Sequence, residues 1–323
     1  MYNVSFGVQE APFGLTPDPK FMYLSAQHRN ALAGLTYGIL SRKRFILLVG
    51  DVGTGKTTLV RTALKHMSSK RTSVGLITNP TLTPGEVLEA ALMAFGQNDI
   101  PAGKVKRLRR LEELLEHDTQ QNRTSTLIID EAHKLEYEAL EEIRLLGNLD
   151  PLQIVLAGQN ELVDLLDSEE GRAFKQRISL RLTLEPLSTA EVAQYVAHRW
   201  KIAGGRLPAP FESQALGRLA QESQGIPRLI NTLADNALMI AFQENRRVAT
   251  SRDIGEASVQ LRVSTPEKAA ELEAAAVDPG HGDDAEQFPD ASEQPLSRTE
   301  PNGRRRSKQN GVFARVMRMG RSA

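Results

Sequence analysis

Two short motifs in this chain of 323 residues contain groups whose types and spacing could act on phosphate. The first is Gly50-Asp51-Val52-Gly53-Thr54-Gly55-Lys56-Thr57, with Thr58 directly after it. It fits the pattern GxxxxGK[ST], in which glycines let successive backbone N–H groups wrap around phosphate oxygens. Lys56 would place its charge on the terminal phosphates, and Thr57 would hold a magnesium ion. The motif predicts a triphosphate site with Mg²⁺.

The second motif is a pair of acids at the end of an apolar run. Residues 127–129 predict a buried strand, which is followed by Asp130 and Glu131. Successive strand residues point to opposite faces, so the two carboxylates can have different tasks. We expect Asp130 to organise hydrated magnesium and Glu131 to polarise the water that attacks the terminal phosphate. The alternative, a helix cap before residues 132–148, is the minor interpretation once a phosphate loop precedes it.

Charge that develops on a transferred phosphoryl group is stabilised by positioned cations, so arginines are candidates. Arg177 follows the fourth predicted strand and its helix, where a residue at a subunit edge could reach a neighbour's nucleotide, and Arg181 is its rival. Arg228, in the run Gly225-Ile226-Pro227-Arg228, could fold onto the phosphates. The alternative for each is a solvated surface arginine.

Amide side chains follow two of the predicted strands. Asn79 comes after residues 74–78, and Gln159 and Asn160 come after residues 154–157. An amide at this place could orient the attacking water or hold Glu131 away from it, although such residues are often plain turn residues.

The six histidines are scattered, and none of them forms a pair at the spacing of a helical zinc site. We interpret His133 as a surface residue at a helix start and assign no role to His28.

The elements that must position these groups follow from the hydrophobic pattern. Up to about Pro186, short apolar runs alternate with stretches of helical period, which is typical of an α/β protein with a parallel sheet and crossover helices. The predicted strands are residues 45–49, 74–78, 127–129, 154–157 and, more weakly, 180–184. After Ser188, which opens a capping box, the predicted helices are residues 188–203, 210–224, 228–245 and one from 251, with a short strand-like stretch at 247–249.

This pattern predicts an N-terminal segment plus α/β core over residues 1–186 and a small all-helical lid domain over 187–264. Residues 265–323 are rich in Pro, Gly, Asp, Glu and Ser, so they predict a disordered charged tail, acidic first and basic at its end. A helix over its last part would place Val312, Phe313, Val316 and Met317 on one side, as in a segment that docks on a partner or on an anionic membrane surface.

Composition excludes several classes of protein. Forty basic and forty acidic residues cancel, so any binding to nucleic acid or lipid must be local, and the absence of cysteine excludes disulfides and thiolate chemistry. No apolar run could span a membrane and no secretory signal begins the chain, so we expect a cytoplasmic protein, with peripheral contact at the inner membrane through the basic tail as an option. The basic run at residues 104–110 could contact DNA, but its helical period favours a solvated helix face.

In their order along the chain, these motifs resemble those of AAA+ ATPases, and more closely the ExeA, or general secretion pathway protein A, group. The resemblance covers Tyr2 to Leu261 and depends on Pro12-Phe13, Asp18-Pro19, Gly53 to Thr58, Asn79-Pro80, Ala157-Gly158-Gln159 and Gly225 to Asn231. It implies ATP binding at the sheet edge, Asn79 as the polar switch for Glu131, Gln159 as sensor one and Arg228 as sensor two. It also implies assembly into rings or shorter oligomers, in which Arg177 would act across the interface.

Two departures from that group matter. Asn160 stands where the group usually has proline, so Asn160 is the alternative for sensor one. The chain also continues into a charged tail rather than into a membrane helix and a cell-wall-binding region. Our first hypothesis is therefore an ATPase that remodels an unidentified partner protein, in envelope assembly, secretion or polysaccharide export. The second is an ATP-dependent DNA-binding regulator of transposition or replication, as in the related TniB and TnsC proteins.

Overall fold

The computed structural model describes residues 2–67, 71–78 and 80–261. These residues lie in one compact unit. Asn79 and the predicted charged tail, residues 265–323, lie outside the described residues. Among those that are described, no helix combines the length and the apolar character needed to cross a bilayer.

The core of the fold is a five-stranded parallel sheet, as the sequence predicts. Its strands are β1 (Phe45–Gly50), β2 (Thr72–Ile77), β3 (Thr124–Ile129), β4 (Gln153–Gly158) and β5 (Ile178–Leu184), in the order β2-β3-β4-β1-β5. β3 begins three residues before its predicted apolar start, because its polar residues are satisfied: Ser125 donates to Asp118 and Thr126 donates to Gln153. The carboxyl ends of parallel strands meet at one edge of the sheet, and both motifs lie at that edge.

Helices cover both faces of the sheet. They are α1 (Tyr2–Phe6), α2 (Ala26–Leu40), α3 (Lys56–His66), α4 (Pro84–Ala94), α5 (Lys104–Gln120), α6 (Tyr137–Leu146), α7 (Asn160–Asp167) and α8 (Arg172–Lys175), with short 3-10 turns at Pro19–Phe21 and Ala132–Lys134. In β1, Ile46 and Leu48 pack with α2 and α3, whereas Phe45, Leu47 and Val49 pack with helices of the opposite face. This alternation explains why β1 is apolar at every position.

The rest of the described chain is helical, with α9 (Thr189–Ile202), α10 (Ser213–Ser223), α11 (Pro227–Gln243) and α12 (Ser251–Gln260). Ser188 forms the predicted capping box with Glu191. Two details of the prediction were wrong. The helix predicted from residue 210 begins at Ser213, because Phe211 pairs with Ala249 in a single β-bridge and Glu212 takes the N-cap position. The strand-like stretch at 247–249 consists of that one bridge.

The N-terminal segment packs with this helical region. Val8, Phe13 and Phe21 are buried in the same apolar cluster as Trp200 and its neighbours in α9 to α12. Arg199 of α9 donates to the carbonyls of Pro12 (2.6 Å) and Gly14 (3.2 Å). The boundary between core and lid domains at residue 187 stays a prediction.

Candidate nucleotide-binding site

A cavity of about 340 Å³ lies where the sheet edge, the helical region and the N-terminal segment meet. Its walls come from three parts of the chain that are distant in sequence. The lining residues are 14–18, 21–23, His28, 52–58, Glu131, Gln159, Leu187, Tyr195, Arg199, Pro227, Arg228 and Asn231.

The phosphate-loop motif turns directly from β1 into α3, whose first residue is Lys56. The Nζ of Lys56 donates to the carbonyls of Gly50 (2.6 Å) and Asp51 (2.9 Å), and the residue is only 5% exposed. Burial lowers the pKa of Lys56, while the carboxylates of Glu131, Asp130 and Asp51 act in the opposite direction. A phosphate anion next to this amine would stabilise its charged form.

The hydroxyl of Thr57 donates to Oδ2 of Asp130 at 2.6 Å, so the two motifs are in direct contact. Asp130 is 3% exposed, and its backbone N–H donates to the carbonyl of Ile77. Thr57 and Asp130 offer the hydroxyl and carboxylate oxygens that magnesium prefers, and they would hold the ion together with water and phosphate oxygens. These residues therefore fit Mg²⁺.

Glu131 adopts a left-handed backbone conformation (φ 59°), which turns the chain away from the strand directly after Asp130. Its Oε2 lies 3.8 Å from Nε2 of His133 and 3.6 Å from Nζ of Lys134. The interpretation of His133 as a surface residue was wrong. Its side chain is 12% exposed, and its Nε2 lies 2.7 Å from Nε2 of Gln159, because the 3-10 turn folds back along the end of β4.

The two amides after β4 have different surroundings. Gln159 lines the cavity and faces His133. Asn160 begins α7 and its Nδ2 donates to Oδ1 of Asp51 in the phosphate loop, at 2.7 Å. Gln159 thus shares the cavity lining with Glu131 and contacts His133, whereas Asn160 contacts the phosphate loop.

The helical region reaches the phosphate loop at Arg228, whose backbone N–H donates to the carbonyl of Gly53 at 3.3 Å. A Cβ on Gly53 would lie 2.6 Å from Cβ of Arg228, and Gly53 has φ +79°, so this close approach requires glycine. Pro227 is the first residue of α11, and Arg228 lines the cavity from the first turn of that helix.

Neither candidate for the intersubunit arginine lines this cavity. Arg177 donates to the side chain of Asn148 and to the carbonyl of Arg144, at the carboxyl end of α6. Arg181 is exposed on β5 and lines a separate cavity of about 150 Å³. Asn79, the predicted switch residue, lies outside the described residues.

Sequence reasoning missed His28, which is 2% exposed and touches the phosphate loop. Its Nε2 donates to the carbonyl of Thr54 (3.1 Å), and its Nδ1 lies 2.7 Å from Oγ of Ser25, the N-cap of α2. A carbonyl only accepts, so the hydrogen of the neutral ring lies on Nε2 and the hydroxyl of Ser25 donates to Nδ1. Burial lowers the pKa of His28 and favours this neutral ring.

Sequence reasoning also missed the wall that the N-terminal segment forms over residues 14–23. Arg199 holds this segment, and its guanidinium lies 4.8 Å from the ring centre of Phe21. Tyr23 donates to Gln194 of α9 at 2.7 Å. The large apolar residues Phe13 and Phe21, each close after a proline (Pro12 and Pro19), were the available signal that this segment is packed.

Comparisons with known proteins agree with this geometry. Residues 39–166 match the family model described as AAA domain. The chain is 38% identical to General secretion pathway protein A of Aeromonas hydrophila over 270 residues, which cover 81% of this chain and 48% of that protein. It is 30% identical to the ATP-dependent target DNA activator B of Escherichia phage Mu over 212 residues, which cover 62% of each chain. This chain thus matches about half to two thirds of the length of these relatives.

Solved structures share the fold at low identity. The ORC2 protein of Aeropyrum pernix has a TM-score of 0.59 at 16% identity, covering 80% of this chain and 75% of that one. Drosophila ORC bound to DNA has a TM-score of 0.60 at 18% identity, with 83% and 67% covered. The RuvB branch migration motor of Thermotoga maritima has a TM-score of 0.52 at 17% identity, with 77% and 76% covered. This chain therefore contains an AAA+ P-loop domain, and its resemblance to the general secretion pathway protein A group is confirmed.

Proposed function

We propose that this protein binds ATP with Mg²⁺ in the cavity between the phosphate loop and the N-terminal segment, and hydrolyses it. The observation that supports this most directly is the hydrogen bond between Thr57 and Asp130, which joins the phosphate loop to the pair of acids. This contact supports a site in which a phosphate-binding loop, oxygen ligands for the metal and a carboxylate base would act together at one sheet edge.

Each polar group of the site has a distinct task in this proposal. The backbone N–H groups of residues 53–58 and the amine of Lys56 hold the phosphates. Thr57 and Asp130 hold Mg²⁺, which supplies positive charge to the phosphate oxygens. Glu131 takes the proton of the attacking water, Gln159 positions that water, and Arg228 adds positive charge from the helical region.

The opposite wall of the cavity would receive the adenine ring of ATP. With the phosphates at the loop, the remaining lining is formed by residues 14–23 with Leu187 and Tyr195. Phe21, Met22 and Tyr23 offer apolar and aromatic surface suited to a flat purine. Arg199 and Tyr23 tie this wall to α9. Binding of the adenine ring would therefore influence the position of the helical region.

In this proposal, Arg177 of one subunit completes the ATP site of a second subunit. This residue, between α8 and β5, donates to Asn148 just after α6 in its own chain and does not line the cavity, so in this proposal it acts on the nucleotide of a neighbour. We therefore expect self-association that depends on ATP.

The biological task in this proposal is to rearrange a partner protein in the cytoplasm or at the inner membrane. The similarity to General secretion pathway protein A supports a role in secretion, envelope assembly or polysaccharide export. Capture of partners by the Glu131→Gln variant with ATP, followed by mass spectrometry, would identify the partner.

A second candidate function is regulation of transposition or replication on DNA, and the similarity to ATP-dependent target DNA activator B favours it. The basic run on α5 does not favour DNA binding, because most of its side chains are paired with carboxylates. Lys104 pairs with Glu142, Arg107 with Glu89, and both Arg109 and Arg110 with Glu113. DNA binding that weakens steeply with salt would support this candidate, and no binding at low salt would remove it.

The test of hydrolysis is the Glu131→Gln variant. The amide cannot take the proton of the attacking water, so we expect ATP turnover to fall at least about 100-fold while ATP affinity stays within about threefold. Phosphate release gives the turnover and calorimetry gives the affinity. Glu138→Gln, in the first turn of α6, is the matched control and should behave as wild type. Undiminished turnover by Glu131→Gln would refute the assignment of the base.

A further inference from the structure

His133 faces both groups that the proposed function places around the attacking water. It lies in the 3-10 turn Ala132–Lys134, two residues after Glu131. Its Nε2 is 2.7 Å from Nε2 of Gln159 and 3.8 Å from Oε2 of Glu131. One ring nitrogen therefore lies next to both the proposed base and the proposed sensor amide.

The hydrogen positions on this pair decide which end of the Gln159 amide faces the cavity. An amide nitrogen only donates, so in the orientation given by those atoms the ring accepts and its hydrogen lies on Nδ1. Within the described residues, Nδ1 of His133 is buried without a hydrogen-bond partner. A buried N–H without an acceptor is rarer in proteins than a buried acceptor without a donor, which favours the other ring form. Turning the amide over lets Oε1 accept from an Nε2–H of His133 and leaves Nδ1 as an unprotonated acceptor.

We propose that His133 is a positioning residue whose Nε2–H holds Oε1 of Gln159, so that the NH₂ group of this amide points at the terminal phosphate and the attacking water. The inference rests on the proposed hydrolysis of ATP at this site. An NH₂ group donates to phosphate oxygens and to the oxygen of water, whereas an amide carbonyl would repel the phosphate. An amide turned the wrong way therefore slows hydrolysis. It does not change ATP affinity, because ATP is bound by the phosphate loop.

The surroundings of Glu131 separate this effect from a change in the base itself. Nζ of Lys134 lies 3.6 Å from Oε2 of Glu131, so the carboxylate keeps a charged partner when the ring is removed. The consequence of removing His133 is therefore transmitted through Gln159.

The experiment compares His133→Phe with His133→Gln. Phenylalanine fills the space of the ring without a hydrogen bond, and glutamine returns an N–H near the position of Nε2. We expect His133→Phe to lower kcat at least about tenfold, with KM and ATP affinity within about twofold of wild type, and His133→Gln to retain most of kcat. In the background of Gln159→Leu, His133→Phe should lower kcat no further.

Several outcomes would overturn the inference. They are an unchanged kcat in His133→Phe, an equal loss in both His133 variants, and a further loss from His133→Phe in the Gln159→Leu background. If His133→Phe does not fold, kcat of His133→Gln is compared with kcat of Gln159→Leu. A loss in His133→Gln as large as that in Gln159→Leu would overturn the inference. A wild-type protein that does not hydrolyse ATP refutes the proposed function itself. Turnover by wild type that depends on Glu131 but not on His133 refutes this inference alone.

Discussion

The two walls of the cavity are built in different ways. The phosphate wall consists of one sheet edge, where Lys56, Thr57 and Asp130 are held by the ends of β1 and β3 and by the start of α3. The opposite wall, residues 14–23, is tied to α9 by hydrogen bonds. Arg199 donates to the carbonyl of Gly14 and to that of Pro12 just before the wall, and Tyr23 donates to Gln194. The phosphate wall is part of the hydrogen-bonded sheet, whereas the other wall is held by the burial of Phe21 in the cluster around Trp200 and by a few hydrogen bonds between distant segments. Changes in the first should abolish binding, and changes in the second should weaken it.

The largest effect is expected for Lys56→Ala. The change removes the buried amine at the phosphate position, so we expect ATP affinity to fall at least about 100-fold in equilibrium binding measurements. Lys65→Ala, an exposed lysine on the same helix, is the matched control and should bind as wild type. If Lys56→Ala kept the ATP affinity of wild type, the claim that this wall binds the phosphates would be refuted.

An intermediate effect is expected for Arg199→Met, which keeps an apolar stem but removes the donors to Pro12 and Gly14. Hydrogen bonds from charged groups stabilise folded proteins by about 1.5–3 kcal/mol, so we expect the melting temperature to fall by several degrees. Because the segment is also a wall of the cavity, ATP affinity should fall about tenfold. Lys201→Met, exposed on the same helix, is the control. A lower melting temperature with unchanged ATP affinity would show that this wall does not bind the nucleotide.

The smallest effect concerns His28, which lies between the two walls. Its pKa is lowered in the folded protein, so the unfolded chain takes up a proton first as the pH falls below the ordinary histidine value of 6.5. The stability associated with the neutral ring is thus present above pH 6.5 and is lost as the pH falls through the lowered pKa.

The pH effect can be measured with His28→Gln, which keeps an N–H near Nε2 for the carbonyl of Thr54 but does not titrate. Thermal melts between pH 7.5 and about pH 5 should show a smaller loss of stability for this variant than for wild type. The pKa of His198 is also lowered, so the difference between the two proteins, rather than the slope of either, reports on His28. If stability fell equally with pH in both proteins, the lowered pKa of His28 would be contradicted.

The same contrast explains how much could be predicted from sequence. The five strands, the capped helix after Ser188 and the residues of the phosphate wall were predictable, because strand, loop and helix are consecutive there and the motif includes its own context. The other wall was not, because His28 and Arg199 donate to backbone carbonyls, which every residue has. His133 was misjudged because only the return of the chain along β4 buries it. The roles of Asn79 and Arg177 stay predictions.

The central claim is that both walls enclose one nucleotide, and a crystal structure of the Glu131→Gln variant with ATP and Mg²⁺ tests it most directly. We expect the triphosphate on the backbone of residues 53–58, with the metal between Thr57 and Asp130. The purine should lie against residues 14–23. A triphosphate at the loop with its purine turned away from that segment, or a nucleotide bound elsewhere on the protein, would contradict the claim.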